Sequence, residues 1–164
     1  MNYFQISLIL TTILCSLVAG MVLAFTIVVM PGIKNLRDRD FLQAFKEIDR
    51  VIQNNQPVFI LVWLGSVVTL VASVFLSNSQ LEGIDWLLII AATIFYLLGV
   101  QLPTATINVP LNNRLQALDF NSMNNQALQE ARLNFEPRWV RWNTIRTVFA
   151  ILTAVLLVFL IVRL

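Results

Sequence analysis

The residues able to do chemistry in this chain sit in two short strings. The first is Asn108-Val109-Pro110-Leu111-Asn112-Asn113-Arg114, preceded at helical spacing by Gln101 and Thr104. The second is Trp139-Val140-Arg141-Trp142-Asn143-Thr144-Ile145-Arg146-Thr147. Steps of three or four put Gln101, Thr104, Asn108 and Asn112 on one helix face, and the same spacing groups Trp139, Trp142, Asn143, Arg146 and Ala150. Both strings border the same loop at the edge of long apolar runs, so their polar stripes lie at similar depth and can face each other across a polar pocket; the alternative for the first stripe is an interfacial helix end whose polar residues meet headgroups. Arg146 sits a turn deeper than its neighbours, where an uncompensated charge costs roughly 2.5 to 3.5 kcal/mol on insertion scales. It is the donor to amide oxygens, or to a bound anion, at the base of that pocket. Trp139 and Trp142 taken alone also fit an interfacial aromatic belt.

Other chemistries are closed by composition. The chain has no histidine, which removes the usual His-based zinc, non-haem iron and haem sites and any Ser/His/Asp triad. The single Cys15 lies inside an apolar run and reads as a small packing residue, with no disulfide and no thiolate cluster to offer. No phosphate-cradling glycine motif is present, so no metal and no cofactor is expected. A formal charge of +2, with basic and acidic residues nearly balanced, gives no nucleic-acid surface.

The elements that position the two strings follow from hydropathy. Of 164 residues, 58% are hydrophobic and 12% charged, against roughly 25% charged in an ordinary soluble domain. Four apolar blocks, about Phe4 to Met30, Pro57 to Leu76, Ile84 to Pro110 and Trp142 to Leu164, each reach the ~20 residues a membrane-spanning helix needs. The expected fold is all-α: a four-transmembrane-helix bundle over residues 1–164, a single integral membrane domain with short interfacial helices in its first and third loops. Pro103 and Pro110 should kink the third span. Ser16, Gly20 and Ala24 on span one, and Gly65, Thr69 and Ser73 on span two, form small-residue faces that could match each other or serve a neighbouring protomer.

In the first loop, Asp40 is the expected cap of a helix whose Phe41, Phe45, Ile48 and Ile52 face the bundle, opposite Lys46, Glu47, Asp49 and Arg50. In the third, residues 121–135 read as a helix capped by Asn121 or Ser122 and broken by Glu136-Pro137. The basic residues cluster in these two loops, with Lys34, Arg37, Arg39, Lys46 and Arg50 in one and Arg114, Arg132, Arg138 and Arg141 in the other. The loop between spans two and three carries only Glu82 and Asp85. The positive-inside bias therefore places both long loops in the cytoplasm and both termini outside.

The strings also carry a resemblance. Val29-Met30-Pro31-Gly32, Phe41 to Gln53 with Asp49, Asn108-Val109-Pro110-Leu111-Asn112, and the Trp-x-x-x-Asn-x-x-Arg spacing from Trp139 to Arg146 together resemble the anthrone oxygenase-like (DUF1772) family of small integral membrane proteins. The resemblance covers nearly the whole chain. It implies four spans and, for some members, oxygenation of anthrones to anthraquinones; an anthrone enolate can itself pass an electron to dioxygen, so a pocket that binds it needs no metal or flavin. On that basis Arg146 with Asn108, Asn112 or Asn143 would stabilise an oxyanion, and Trp139, Trp142 and Gln101 would hold a flat aromatic or quinone-type substrate. Glu136 or Asp49 would take the proton. Two non-catalytic alternatives fit the same residues: a binder of a lipid or quinol, and a small structural subunit of a larger membrane complex. A transporter fits worst, because the outer halves of all four spans offer no polar path.

Overall fold

Helix boundaries in this chain are set by short polar residues and prolines at the ends of apolar runs. The computed structural model describes residues 2–164. Its helices are α1 (Tyr3–Ile33), α2 (Asp38–Gln53), α3 (Pro57–Ser77), α4 (Gly83–Gln116) and α5 (Asn125–Arg163). Asn2 caps α1 by accepting from the Gln5 amide at 2.8 Å, while the Gln5 side chain accepts from the Asn2 amide at 3.1 Å. Each bond satisfies a donor that the first helical turn would leave unpaired. Pro57 opens α3, where its missing N–H costs nothing. Between α2 and α3 the chain turns through Asn55 at φ 60°, a left-handed conformation that asparagine tolerates better than most residues.

Helices α1, α3, α4 and α5 are long and apolar enough to cross a bilayer, and the chain is an integral membrane protein built as an all-α four-helix bundle. Helix α1 packs against both α3 and α5, and α4 lies along α5. At the terminus end, the Asn2 side chain donates to Gln80 at 2.9 Å and Arg163 pairs with Asp85. That pairing neutralises the one basic residue at this end of α5. At the opposite, loop end, α2 folds under the bundle with Phe41, Leu42 and Phe45 fully buried. It is held there by the α5 residue Arg132, whose guanidinium donates to the carbonyls of Lys34 and Leu36 and to the carboxylates of Asp38 and Glu136.

Several local expectations are corrected. Helix α2 begins at Asp38, and Asp40 lies in its first turn paired with Arg37 at 2.8 Å. Asp49, expected on the polar face, is 3% exposed. It follows Phe45 by four residues and so shares the buried stripe. No break occurs at Glu136-Pro137: α5 runs unbroken from its Asn124 cap through Pro137 to Arg163. The carbonyl freed by Pro137 belongs to Leu133, an exposed residue whose backbone can be hydrated, and the 2.7 Å pair of Arg132 with Glu136 spans the same turn. The small-residue faces do not mate as expected. Ser16, Gly20 and Ala24 point outward. Instead Ser73 of α3 meets Ser7 and Thr11 of α1 at 2.8 and 3.0 Å, and Gly65 lies against Leu14.

Three stretches of wide π-helical turn interrupt the spans, at Phe25–Val29, Phe95–Gln101 and Thr104–Asn108. Each lies one or two residues before a proline: Pro31, Pro103 and Pro110. A proline ring clashes with the carbonyl four residues back, and the wide turn relieves that clash without breaking the helix. The distortion expected of the prolines in α4 therefore takes this form, and two of the three stretches flank the polar stripe.

Candidate functional site

A cavity of about 380 Å³ opens inside the loop-end half of the bundle, and all five helices line it. Its floor is polar. Arg146 donates from Nη2 to Asn143 Oδ1 at 2.6 Å and from Nη1 to Thr104 Oγ1 at 3.0 Å. Asn143 in turn donates to the Val22 carbonyl at 3.0 Å and to Thr26 Oγ1 at 2.8 Å, so a single amide locks α1 to α5 beneath the guanidinium. Thr104 and Asn108 reach the floor from the π-helical stretch of α4.

Two buried atoms on this floor have no partner, Arg146 Nε and Asn108 Oδ1. The residues that carry them are only 6% and 1% exposed. Asn108 spends its amide nitrogen on the Trp139 carbonyl at 3.3 Å, which leaves its oxygen free. None of the ion pairs among the described residues involves Arg146. A buried charge that is neither paired nor fully hydrogen-bonded costs several kcal/mol, so the floor is an expensive arrangement for a purely structural element.

The wall is aromatic. Trp139 packs with ring centroids 5.5 Å from Phe25 and 5.0 Å from Phe45, and its indole lies 5.7 Å from the Arg146 guanidinium. On the far side, Phe59 stacks on Trp63 at 5.4 Å with 17° between planes. The roof is Asp49, supplied by α2. Its carboxylate accepts from Asn112 at 2.7 Å, Gln53 at 2.7 Å and Gln116 at 2.8 Å. Burial pushes its pKa above the ordinary carboxylate value, and the three amide donors only partly offset that. Asn112 also accepts from Trp139 Nε1 at 2.8 Å, so one amide joins the indole to the carboxylate.

Not every residue singled out from sequence meets at this cavity. Arg146, Asn108, Asn112, Asn143 and Trp139 line it together. Of these, Asn112 and Asn143 already have partners at both ends of their amides, so their geometry suits holding neighbours in place. Trp142 does not line the cavity, because the step of three from Trp139 points away where the step of four, to Asn143, points in. Glu136 lies on the outer side of α5, bonded to Arg132 beside a separate hollow formed with Met30 and Lys34. Gln101 is not in the lining: it lies about a turn beyond Thr104, on the floor side, and accepts from Trp63 Nε1 at 3.0 Å. Phe25, Phe59 and Trp63 are lining residues that periodicity did not flag, whereas Phe45 comes from the apolar stripe expected on α2. The one available signal was the i, i+4 step from Phe45 to Asp49.

Fold and site together define a four-span integral membrane protein with a pocket that is polar at its floor and aromatic on its walls. The chain belongs to the anthrone oxygenase family, whose profile matches residues 50–156. That stretch contains α3, α4 and all of the pocket except the α1 wall and Phe45 and Asp49 of α2. No curated protein and no solved structure matches the chain.

Proposed function

We propose that the pocket binds a flat hydroxyaromatic ketone of the anthrone type and oxygenates it with dioxygen, using no cofactor. The observation that carries this reading is a buried Arg146 guanidinium with no carboxylate partner in the lining of an aromatic-walled cavity. A ligand that becomes an oxyanion is what such a floor would stabilise, since preorganised donors in a water-poor site act most strongly on charge that develops during reaction.

In this scheme Asp49 removes a proton from the ring methylene, and the electron pair moves onto the carbonyl oxygen beside Arg146. Asn108 Oδ1 accepts a hydroxyl of the ligand, and Trp139 lies against its ring. The enolate carbon then transfers electrons to dioxygen and forms a carbon–oxygen bond, and the resulting peroxide anion takes the proton back from Asp49 to give a hydroperoxide. Loss of the remaining hydrogen on that carbon, with cleavage of the oxygen–oxygen bond, leaves a new carbonyl and releases water. Glu136 is not used, because its carboxylate faces Arg132 outside the cavity. The basic residues of the two long loops support an orientation with the pocket end in the cytoplasm.

The test is turnover of a hydroxyanthrone in detergent, followed by oxygen uptake and anthraquinone absorbance against the protein-free rate. Arg146→Ala and Asn108→Ala are expected to bring the rate down to that background, with Arg146→Ala losing about 10²-fold or more, while both elute as monodisperse protein. Normal turnover by both variants would sink the assignment.

A further inference from the structure

We propose that ligands reach the pocket from the lipid, through a window between α3 and α4 framed by two hydrogen bonds, Gln53 to Asn113 at 3.2 Å and Trp63 to Gln101 at 3.0 Å. The proposal rests on the reading of the pocket as a site for a flat apolar molecule, and it names the route and the phase from which that molecule comes.

Two other sides of the cavity are stitched shut. Towards the loops, α2 lies across the pocket and is tied to α4 by Asp49 with Asn112 and Gln116, and by Gln116 with the Lys46 carbonyl at 2.9 Å. Lys46 Nζ also holds the Leu118 carbonyl at 2.7 Å. An aqueous passage on that side would have to break several charge-assisted bonds at once. Between α1 and α5, Asn143 bonds Val22 and Thr26 while Phe25 packs on Trp139, which closes that seam.

Between α3 and α4 the construction differs. Ser66 and Tyr96 join the two helices deep in the bundle, and Trp63 with Gln101 forms the last crossing bond before the pocket. Below it, among the described residues, no hydrogen bond joins α3 to α4, and the walls are the side chains of Phe59, Trp63 and Val109. Val109 marks the mouth: it is an apolar residue that lines the cavity and is 42% exposed. The outside of the window is apolar, with Val58, Leu61 and Leu102 exposed on either side where acyl chains would lie. Along α4 the frame runs from Gln101 to Asn113, roughly 18 Å at the ~1.5 Å helical rise, which admits a planar tricyclic molecule edge-on.

The chemistry of the route fits the ligand class. An apolar aromatic molecule concentrates in the bilayer, and lateral passage spares it a return to water before it meets Arg146.

The experiment uses the full chain in phosphatidylcholine vesicles with 1,8-dihydroxyanthraquinone as the probe, and stopped-flow quenching of tryptophan fluorescence as the readout. Narrowing the window with Val109→Phe should slow association and release alike by about tenfold and leave the equilibrium affinity within about threefold, since a constriction acts on both directions of passage. Phe59→Ala should speed both, and Leu61→Phe, on the lipid face outside the window, should change neither. Val109→Phe rates equal to wild type, or a change confined to the release rate, would overturn the window while leaving the binding site standing. If the wild-type protein fails to bind the probe at all, the window and the reading of the pocket fall together.

Discussion

At the terminus end of the bundle, Ser7, Thr11 and Ser73 share a chain of hydroxyl contacts, Ser66 meets Tyr96, and Thr153 turns back to its own helix at the Phe149 carbonyl, 2.8 Å away. At the loop end, Arg146 and Asn108 are buried just as deeply but keep unpartnered atoms. The difference lies in side-chain reach. A hydroxyl on a short stem can always fall back on the carbonyl four residues earlier, so burying it in a membrane helix costs little. An amide or guanidinium on a longer stem must find partners on other helices, and here the partners stop short of satisfying them. One half of the molecule is therefore solved as packing, and the other is left incomplete in a way a ligand can finish.

That contrast can be broken at several points. The largest effect is expected at the roof: Asp49→Asn should lower anthrone turnover by about 10² to 10⁴-fold, the range for loss of a positioned base. In the wild-type protein the working form is the carboxylate, so activity should fall as pH drops through the Asp49 pKa. Because burial raises that pKa, the acid limb should sit above the ~3.9 of an ordinary aspartate, and its position, read from a pH–rate profile, checks the assignment. An acid limb at the ordinary value would remove Asp49 from the scheme.

A smaller effect of opposite sign separates function from stability. Arg146→Leu removes a charge that costs roughly 2.5 to 3.5 kcal/mol to hold in a membrane helix, against about 1 to 3 kcal/mol for the partners it leaves unpaired. Its melting temperature in detergent should accordingly be no lower than wild type even though turnover is lost. A sharp fall in melting temperature would show Arg146 to be a structural cross-link. In the dry half the reverse holds. Gly99→Ala would place a methyl group 2.2 Å from the Phe149 ring and should destabilise by about 1 to 3 kcal/mol through overpacking, seen as a lower melting temperature.

How far the chain could be read without coordinates follows the same division. The four spans were legible because hydrophobic length is set by the bilayer alone, and Asn108 and Arg146 stood out because polar groups are rare at that depth. The convergence of Asn108, Asn112, Asn143 and Trp139 followed from helical spacing and a shared loop. What spacing could not give was phase. The wide turns before Pro103 and Pro110 shift each later residue of α4 around its axis, which sends Gln101 to Trp63 while Thr104 reaches Arg146 and Asn108 the Trp139 carbonyl. On α5, steps of three and four from Trp139 looked equivalent, and only the packing against α1 separates Asn143 from Trp142. The continuity of α5 through Pro137 was hidden for a related reason, since whether a proline breaks a helix depends on which way the freed carbonyl faces.

That continuity has a mechanical consequence. Helix α5 is 39 residues long, about 58 Å at ~1.5 Å per residue, nearly twice the ~30 Å hydrocarbon thickness. It is one stiff member fastened at both extremities, by Arg163 to Asp85 at one and by Arg132 to the α1–α2 turn at the other. Because the helix continues through Pro137 between these fastenings, tilt that a thicker or thinner bilayer imposes on the rod reaches Trp139 and Arg146 midway along it, so the shape of the pocket is tied to the lipid that surrounds it.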